Sequence, residues 1–353
     1  MNKGISVVIC CFNSAKRLEN TLQALSVQNC VGICDWEILI VDNASTDDTA
    51  RKSEEIWKKY QEPTPLRVIQ EPRPGLTHAR KAGILLAKFD YILFCDDDNW
   101  LNSNYLNIGF RILEDYPLLA ALGGNGSAVF ESQKPAWFDE FREAYAVGSQ
   151  SLTMEDGKQL SLYGAGMFIR KSCYLNLVAY GFREFLNDRT GNSLSSSGDT
   201  ELTNAFTIAG YQIMYSADLR FQHFLTTNRL QRRYLEKLFI AFGSDGPLRN
   251  VYYSFQTRKK FFKLLRFWLI HLTIALLRLV KYTIIPPKKN ARRLYLLWNI
   301  SYLKSLLKLL GKYSGIYRSI SRFKYNAQQK AQASKNQMHD TSPVGNQNYP
   351  VAL

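Results

Sequence analysis

The sequence predicts an α/β protein built on a mostly parallel, twisted sheet with helices on both faces. Short, β-branched apolar runs alternate with segments in which apolar residues recur at helical spacing. The apolar runs are almost continuous, as expected for strands that are buried on both faces of a parallel sheet. In addition, polar or acidic residues directly follow three of these runs, at the sheet edge where such proteins bind ligands.

Four strands with three helices between them account for the first hundred residues. The predicted strands are residues 5–12, 36–45, 66–72 and 91–98, which include the runs ISVVICCF and WEILIVD. The predicted helices are residues 15–28, 46–60 and 75–88. The first helix has Leu18, Leu22 and Leu25 on one face, and the second opens with the capping residues TDDT. This order is typical of βαβ units.

The charge of the 353-residue chain is distributed unevenly. Residues 1–228 carry 21 Lys and Arg against 27 Asp and Glu, a net of −6, whereas residues 229–325 carry 22 against 2, a net of +20. We therefore expect an α/β domain over 1–228, a basic amphipathic helical segment over 229–325, and a polar, disordered tail over 326–353. The basic segment indicates an anionic partner, either a membrane or a nucleic acid.

The six cysteines are scattered and match no common zinc spacing, so we predict reduced thiols in a cytoplasmic protein. The first residues, MNKGISVVICCFNSA, superficially resemble a signal peptide. Their apolar stretch is short and ends in a turn, which favours a first strand instead.

Three consecutive carboxylates, Asp96, Asp97 and Asp98, follow the fourth apolar run. Adjacent anions repel one another, so a cation is expected beside them. Asp96 and Asp98 would face the same way if the strand continued, because strand side chains alternate. Magnesium typically takes one or two carboxylates and fills its other positions with phosphate oxygens and water, which predicts a metal–diphosphate at this place. The structural alternative is a solvated acidic turn.

Two common nucleotide-binding classes are disfavoured. No GxGxxG follows the first strand, as a dinucleotide-binding Rossmann domain requires, and the chain has no GxxxxGK[ST] of a P-loop NTPase. The residues that follow the strands, Phe12-Asn13, Asp42-Asn43 and the three aspartates, are nevertheless expected to converge at one edge of the sheet.

Six stretches resemble family 2 glycosyltransferases, which have the GT-A fold and include enzymes of bacterial polysaccharide and glycan assembly. They stand in family order over about residues 4–225 and read VVICCFN, ILIVDNASTDDT, PGLTHARKAGI, FCDDDNW, GAGMFIRKS and SSGDTELTNAFTIAGYQIMY. The resemblance implies metal-assisted, inverting transfer of a sugar from a nucleoside-diphosphate sugar to a glycan or lipid-linked saccharide acceptor. The chain has no QxxRW-like sequence after the acidic motif, which favours transfer of a single sugar over processive synthesis.

The resemblance also implies roles for the residues that follow the strands. Phe12 occupies the place of a ring near the nucleotide base, with Asn13 beside it in the donor site. Asp42 would contact the nucleoside, and Asn43 stands where many members have a second Asp. Arg80 would support the donor pocket.

In the family's DxD region, Asp96 would approach the ribose and the metal, and Asp97 belongs to the same donor-binding motif. Asp98 would ligate Mg²⁺ or Mn²⁺ directly. His223 would complete the metal site, since a neutral imidazole is a good ligand. The structural alternative for His223 is a packed or surface side chain.

The acidic motif of the family aligns with SGDTEL and implies that Asp199 is the base that takes the acceptor proton. Glu201 could be that base instead, or could orient the acceptor. The usual Glu before the base is Gly198 here. The structural alternative, which is compatible with the catalytic one, is that Asp199 caps the helix that follows.

Segments 258–287 and 294–313 are predicted as amphipathic helices that lie in the headgroup region of an anionic membrane, which would make the protein peripheral on the inner face of the cell membrane. The longest uncharged stretch of the first, residues 267–277, has 11 residues, against the roughly 20 that a spanning helix needs. A helical subdomain packed on the core, or a tilted or re-entrant hairpin, is also compatible. Nucleic acid is disfavoured because no recognition motif is present.

Two other functions compete with the transferase. A sugar-nucleotide pyrophosphorylase usually has a Gly-rich loop and a basic residue directly after the first strand, which CCFNSAKR does not provide. A catalytically inactive scaffold that binds sugar nucleotides or lipid is disfavoured by the intact DDD and GDTEL stretches. However, Gly198 replaces the usual Glu of the family and Lys81 replaces the usual Asn, and both departures are compatible with a scaffold.

Overall fold

The computed structural model describes residues 3–150, 161–186, 188–190, 194–195, 197–256, 264–285 and 291–340. Its strands are β1 (Ile5–Cys11), β2 (Trp36–Asp42), β3 (Leu66–Gln70), β4 (Tyr91–Phe94), β5 (Asn99–Leu101), β6 (Leu119–Phe130), β7 (Met167–Arg170) and β8 (Gln212–Leu225). Its helices are α1 (Leu18–Ser26), α2 (Thr49–Lys59), α3 (Leu76–Leu86), α4 (Tyr105–Asp115), α5 (Phe138–Phe141), α6 (Lys171–Ala179), α7 (Gly198–Ile208), α8 (Arg232–Gln256), α9 (Leu264–Ile284), α10 (Arg292–Leu309) and α11 (Tyr313–Asp340). A 3-10 turn over Arg142–Tyr145 follows α5.

The eight strands form one mixed sheet in the order β3-β2-β1-β4-β7-β6-β8-β5. The first four of these run parallel, which confirms the βαβ units predicted from the sequence. β7 is antiparallel to both β4 and β6, whereas β6 and β8 pair in parallel. The register places Cys11 beside Asp42, so the carboxyl ends of β1 and β2 lie at the same edge of the sheet.

Both faces of the sheet are covered, which explains the unbroken apolar runs. In β1, Val7 lies in a buried cluster with Leu22 of α1, and Val8 lies in a second cluster with Phe206 of α7. Neighbouring strand residues point to opposite faces, so both must be apolar. All six cysteines are free thiols, as predicted.

The fourth strand ends earlier than predicted, because β4 stops at Phe94 and residues 95–98 form a turn that leads into β5. The Asn99 N–H donates to the Asp96 carbonyl (3.0 Å), and the Thr21 hydroxyl donates to the Asp97 carbonyl (2.9 Å). The assumption that Asp96 and Asp98 alternate along a strand is therefore wrong. The three carboxylates are presented by a turn, and each faces a different environment.

The C-terminal helices share a core with the sheet. Tyr252 of α8 and Tyr302 of α10 belong to the same buried cluster as Val8, and α10 also buries Leu294 and Leu306. This packing agrees with the alternative of a helical subdomain for α10, since its apolar side chains are removed from water by the protein itself. Residues 258–263 and Pro286-Pro287 of the predicted first membrane helix lie outside the described residues.

Helix α9 differs from α10 because much of its apolar surface is exposed. The exposed side chains are Leu269, Ile270, Ile274, Leu276, Leu277, Val280 and Ile284, and Ile285, directly after the helix, is exposed as well. In the described part of the chain, residues 266–284 form the one helix that is long and apolar enough to cross a membrane, and 17% of it is buried. The short stretch of uninterrupted uncharged residues favours a helix that lies on the membrane over one that spans it, whereas length and composition together allow a span.

The tail was predicted to be disordered from residue 326, but the structure continues as a helix beyond that residue. α11 continues to Asp340 and therefore includes residues 326–340, while residues 341–353 lie outside the described residues. Phe323 and Ala327 of α11 are buried, the Lys324 ammonium donates to the Phe255 carbonyl (2.7 Å), and the Asn326 amide donates to the Tyr180 carbonyl (2.9 Å). These contacts with distant parts of the chain hold a helix whose polar composition alone predicts disorder.

Candidate active site

A cavity of about 1040 Å³ lies at the carboxyl ends of β1, β2 and β4. It is large enough for a ligand of several hundred daltons. Eight of the residues that the sequence analysis singled out line it, namely Phe12, Asn43, Arg80, Asp96, Asp97, Asp98, Asp199 and His223. Asn13, Asp42 and Glu201 are not among its lining residues.

The loops after β1 and β2 are held together by the polar residues that were predicted to bind the donor. The Asn43 amide donates to the Arg73 carbonyl (2.6 Å) and accepts from the Gly75 N–H (2.7 Å). Asn13, at a positive φ of 51°, accepts from the Thr46 N–H (2.8 Å). Asp42 is buried and accepts from the Ser45 N–H (3.3 Å). These side chains shape the rim of the cavity.

The three carboxylates of the turn have different partners. Asp97 accepts from the Ser14 hydroxyl and forms an ion pair with Arg17 (2.6 Å). Asp98 forms an ion pair with Arg229 (2.7 Å). The Asp96 carboxylate has no hydrogen-bond or ion-pair partner among the described residues and lines the cavity. The positive charge expected beside three anions is therefore supplied in part by two arginines.

Asp98 stays ionised although it is buried. Burial alone would raise the pKa of this carboxyl, but the positive charge of Arg229 lowers its pKa well below the ordinary value. His223 is buried, with Nδ1 2.8 Å from the Tyr145 carbonyl and Nε2 3.1 Å from Arg229 Nη1. A carbonyl only accepts, so Nδ1 carries the proton and Nε2 presents a lone pair to the guanidinium.

The donor atoms near the turn are those that Mg²⁺ or Mn²⁺ accepts, namely carboxylate oxygens of Asp96 and Asp98 and the imidazole Nε2 of His223. His223 Nε2 lies 3.5 Å from Asp98 Oδ1. The fit is incomplete, because Arg229 Nη1 already contacts both Asp98 Oδ2 (2.7 Å) and His223 Nε2 (3.1 Å). Within the described ranges, no group of three or more His, Cys, Asp or Glu is arranged to hold a metal ion. The free carboxylate of Asp96 is the group most open to a cation.

Asp199 faces the cavity from the first turn of α7. The helix is preceded by Ser197 and includes Asp199, so the alternative of Asp199 as the residue before the helix is wrong. Its Oδ2 accepts from the Gly164 N–H (2.6 Å) and its Oδ1 from the Thr200 N–H (2.6 Å). A Cβ on Gly164 would lie 2.3 Å from Arg80 Nη2, so this close approach requires glycine.

Burial raises the pKa of Asp199 to about 6, although Arg80 acts in the opposite direction. A carboxyl with this pKa is largely ionised at pH 7 and binds a proton more readily than an ordinary aspartate. Arg80 is held by Asp188 (2.9 Å) and lies over the Phe94 ring (5.3 Å from the centroid). Asp199 is therefore fixed next to a positive charge that is already paired.

The pKa of Asp199 predicts the pH dependence of any reaction in which it acts as the base. Below about pH 6 the carboxyl is protonated, so kcat/KM should fall about tenfold per pH unit, and above pH 6 it should be level. A base with the ordinary aspartate pKa would keep its activity to about pH 4. Initial rates between pH 4.5 and 8, with the folded state monitored by circular dichroism, would test this. A flat profile down to pH 4.5 would contradict the assignment.

Glu201 is buried away from the cavity. One oxygen accepts from the Phe185 N–H (2.7 Å) and the Tyr252 hydroxyl (2.6 Å), and the other accepts from the Leu186 N–H (2.9 Å). Burial raises the pKa of this carboxyl to about 7. The side chain thus joins α7 to a loop and to α8, and its geometry does not suit the alternative role of base.

We expect Glu201→Ala to lower the free energy of unfolding by about 2–4 kcal/mol, because two backbone N–H groups and one hydroxyl lose their acceptor in the interior. Glu201→Gln keeps the shape and one acceptor oxygen, so its loss should be smaller. Urea unfolding would measure both. If folded Glu201→Gln protein bound donor but transferred no sugar, the assignment of Glu201 as a structural residue would be wrong.

Sequence reasoning missed Arg17, Asp188 and Arg229, which hold the carboxylates and Arg80 in place. Asp188 lies in the polar loop before α7, where nothing distinguishes it from a solvated residue. Arg229 follows β8 closely and is the first residue of the basic segment, and this proximity to His223 was the only available signal.

Comparison with known proteins gives a consistent result. Residues 6–174 match the family model described as Glycosyl transferase family 2. Cholesterol galactosyltransferase of Borreliella burgdorferi is 28% identical over 104 residues, which are 30% of this chain and 27% of that protein. Poly(ribitol-phosphate) beta-glucosyltransferase of Bacillus spizizenii is 32% identical over 133 residues, which are 36% of this chain and 20% of that protein. The chain therefore spans about a fifth to a quarter of the length of these curated relatives.

A solved structure has a similar fold. The mannosyltransferase PcManGT from Pyrobaculum calidifontis, in complex with GDP-Man and Mn²⁺, superimposes with a TM-score of 0.50 and 16% identity. The match covers 97% of this chain and 89% of that chain. This likeness confirms the predicted GT-A fold.

Proposed function

Residues 6–174 belong to glycosyl transferase family 2, and from that premise we propose that the protein transfers a single sugar from a nucleoside-diphosphate sugar to a hydroxyl of a glycan or lipid-linked saccharide acceptor. The observation that carries the proposal is the placement of Asp96 and Asp199 in one cavity, with Arg80 close to both. A carboxylate for the donor and a base for the acceptor are the two groups that this reaction needs.

The donor would lie along the carboxyl ends of β1, β2 and β4. The Phe12 ring is 52% exposed at the rim, where it can stack on the nucleotide base. Asp96 can accept hydrogen bonds from the ribose hydroxyls, while Arg229 contributes positive charge beside Asp98. Asp96 and Asp98, with His223, would hold Mg²⁺ or Mn²⁺, which when bound supplies positive charge for the departing diphosphate.

Asp199 would take the proton from the acceptor hydroxyl. As the acceptor oxygen forms its bond to the anomeric carbon, the bond from that carbon to the diphosphate oxygen breaks on the opposite side, so the configuration inverts. The N–H groups of Gly164 and Thr200 orient the carboxylate without neutralising it. Positioning of both substrates in one cavity supplies a further part of the rate enhancement.

Thermal unfolding of the purified protein with a panel of nucleoside-diphosphate sugars, each with and without Mn²⁺, tests this function. We expect a rise in Tm that requires both the metal and one class of nucleotide, since a ligand that binds only the folded state stabilises it. Release of free sugar from that donor without acceptor would then separate an enzyme from an inactive scaffold. If no donor raises Tm in detergent at millimolar concentration, the proposed donor site is wrong.

We also propose that the protein is peripheral on the cytoplasmic face of the cell membrane, through the exposed apolar residues of α9 and the basic residues near it. Leu277→Glu combined with Val280→Glu should weaken partition into anionic vesicles at least about a hundredfold, because two apolar side chains no longer leave water. Leu118→Glu, on an exposed leucine of the α/β part, should have little effect. Full recovery of the wild type in the soluble fraction at physiological salt would contradict the proposal, and resistance to alkaline carbonate would instead favour a span.

A further inference from the structure

The cavity that contains Asp199 continues between the C-terminal helices. Arg249 of α8, Arg278 of α9 and Trp298 of α10 line it together with the residues of the candidate active site. A second cavity of about 370 Å³ adjoins the first, and the same three residues line both. The basic segment therefore contributes the far wall of the space into which Asp199 projects.

Arg249 and Arg278 differ from three other arginines of the cavity, and a fourth, Arg189, lies at the donor end, where its charge acts on Asp98. Arg17, Arg80 and Arg229 each form an ion pair with an aspartate. Neither Arg249 nor Arg278 has a carboxylate within ion-pair distance in the part of the chain that the structure describes, although both are half-buried.

Within the described ranges no carboxylate contacts either guanidinium, although the charge of Arg249 acts on the carboxyl of Asp245. Arg249 donates from Nη2 to the Phe242 carbonyl (3.0 Å), and its buried Nε has no acceptor among the described residues. The Arg278 guanidinium lies 5.5 Å from the centroid of the Trp298 ring. Asp245, one turn before Arg249, accepts instead from the Ser195 and Ser197 hydroxyls. A half-buried cation with no anion is costly, so an anionic ligand would be stabilised here.

We propose that Arg249 and Arg278 form a binding site for a phosphate or diphosphate group of the acceptor, a proposal that rests on the transferase function above. The acceptor hydroxyl would lie at Asp199, and the phosphate would lie farther along the same cavity, between α8 and α9. Guanidinium groups bind phosphate oxygens through charge-assisted hydrogen bonds.

The other charged residues of the cavity limit where the phosphate can lie. Glu140 and Glu143, from α5 and the turn after it, also line the cavity and would repel a phosphate, but their oxygens can accept from sugar hydroxyls. The lining beyond the arginines is aromatic, with Tyr282 and Tyr295 in contact at a ring distance of 5.2 Å. The cavity thus suits an acceptor with a polar saccharide, a phosphate and an apolar continuation.

Two kinds of acceptor share this phosphate chemistry, a lipid-linked saccharide diphosphate and a soluble phosphorylated glycan. The exposed apolar surface of α9, the helix that also carries Arg278, favours the lipid-linked kind. An acceptor held in a membrane could then place its phosphate at Arg278 while its chain stays in the lipid.

Isothermal titration of the full chain with farnesyl diphosphate, farnesol and inorganic diphosphate tests the proposal. EDTA is included so that metal-dependent binding at the donor end does not contribute. We expect farnesyl diphosphate to bind, farnesol to bind at least tenfold more weakly, and Arg249→Gln and Arg278→Gln each to weaken binding of farnesyl diphosphate about tenfold. The matched control is Arg322→Gln, an exposed arginine of α11, which should bind like the wild type. Arg278→Lys keeps the charge and should recover part of the affinity.

Binding that is unchanged in both glutamine variants, or absent in the wild type with both diphosphate probes, would overturn the proposal. If Arg249→Gln does not fold, the two Arg278 variants decide, because the ring of Trp298 is the one partner that the described residues offer the Arg278 guanidinium. Inorganic diphosphate binding as tightly as farnesyl diphosphate would support the site but identify a soluble acceptor. Stabilisation of the wild type by donor is measured in parallel. If donor stabilises the protein but diphosphate binding does not depend on the two arginines, the phosphate site alone is refuted. If donor does not stabilise the protein, the transferase function is refuted.

Discussion

Replacing Asp199 by Asn is expected to lower the rate of sugar transfer by about 10²–10⁴-fold and to leave donor binding close to that of the wild type. The amide has nearly the same shape as the carboxylate, and its oxygen can still accept from the Gly164 N–H, while the Thr200 N–H loses its acceptor. The amide cannot accept the proton that the acceptor hydroxyl must lose. Arg80 keeps its ion pair with Asp188, so the guanidinium should stay in place beside the donor pocket.

Initial rates with donor and acceptor, and the donor-induced rise in Tm, measure the two halves of this prediction separately. Asp218→Asn is a matched control, because Asp218 is an exposed aspartate of β8 that lies outside the cavity lining. Near-normal turnover by Asp199→Asn would show that another group takes the proton. Loss of donor binding together with transfer would show that Asp199 acts on the donor instead.

Replacing Asp98 by Ala is expected to abolish the metal-dependent rise in Tm with donor. A donor present at a hundred times its Kd stabilises a folded protein by about 2.7 kcal/mol, and nearly all of this should disappear. Asp98 is the proposed metal ligand, and it also holds Arg229 (2.7 Å). Its removal leaves that guanidinium without its counter-ion, so the protein without donor should lose about 3 kcal/mol of stability as well.

A second substitution separates these two effects. Removing Arg229 together with Asp98 takes away both charges, so the double variant should regain most of the stability that Asp98→Ala alone loses. It should still show no metal-dependent stabilisation by donor. Thermal unfolding of the wild type, the two single variants and the double variant forms a complete cycle. Metal-dependent donor binding restored in the double variant would mean that Asp98 neutralises Arg229 and is not a metal ligand.

The first half of the fold could be predicted because its signals are local. A strand buried on both faces, such as β1 with Val7 and Val8 in opposite clusters, must be apolar throughout, and the amphipathic helices between such strands have a different period. The end of α11 could not be predicted in this way. It is held by the Phe255 and Tyr180 carbonyls, which are distant in sequence, and local composition carries no information about them.

The same distinction between local signals and distant contacts applies to the candidate site. The carboxylates after β4 and the acidic motif of α7 are short stretches that the sequence displays directly. The partners of these residues could not be predicted from the sequence, because Arg17 is 80 residues from Asp97 and Arg80 is 108 residues from Asp188. The choice between Asp199 and Glu201 depends on how α7 is rotated. Residues two apart on a helix point to nearly opposite sides, so one faces the cavity and the other the interior.

Helix α7 is attached to α8 on two sides, through Glu201 with the Tyr252 hydroxyl and through the Ser197 hydroxyl with Asp245. The helix that carries the proposed base therefore takes part of its position from the C-terminal segment. If the proposed function holds, we expect that simple exchange of that segment as a module would not give this protein a new acceptor preference. An exchanged segment would have to bring a tyrosine and an aspartate to the same two places, so the two parts of the chain are expected to diverge together.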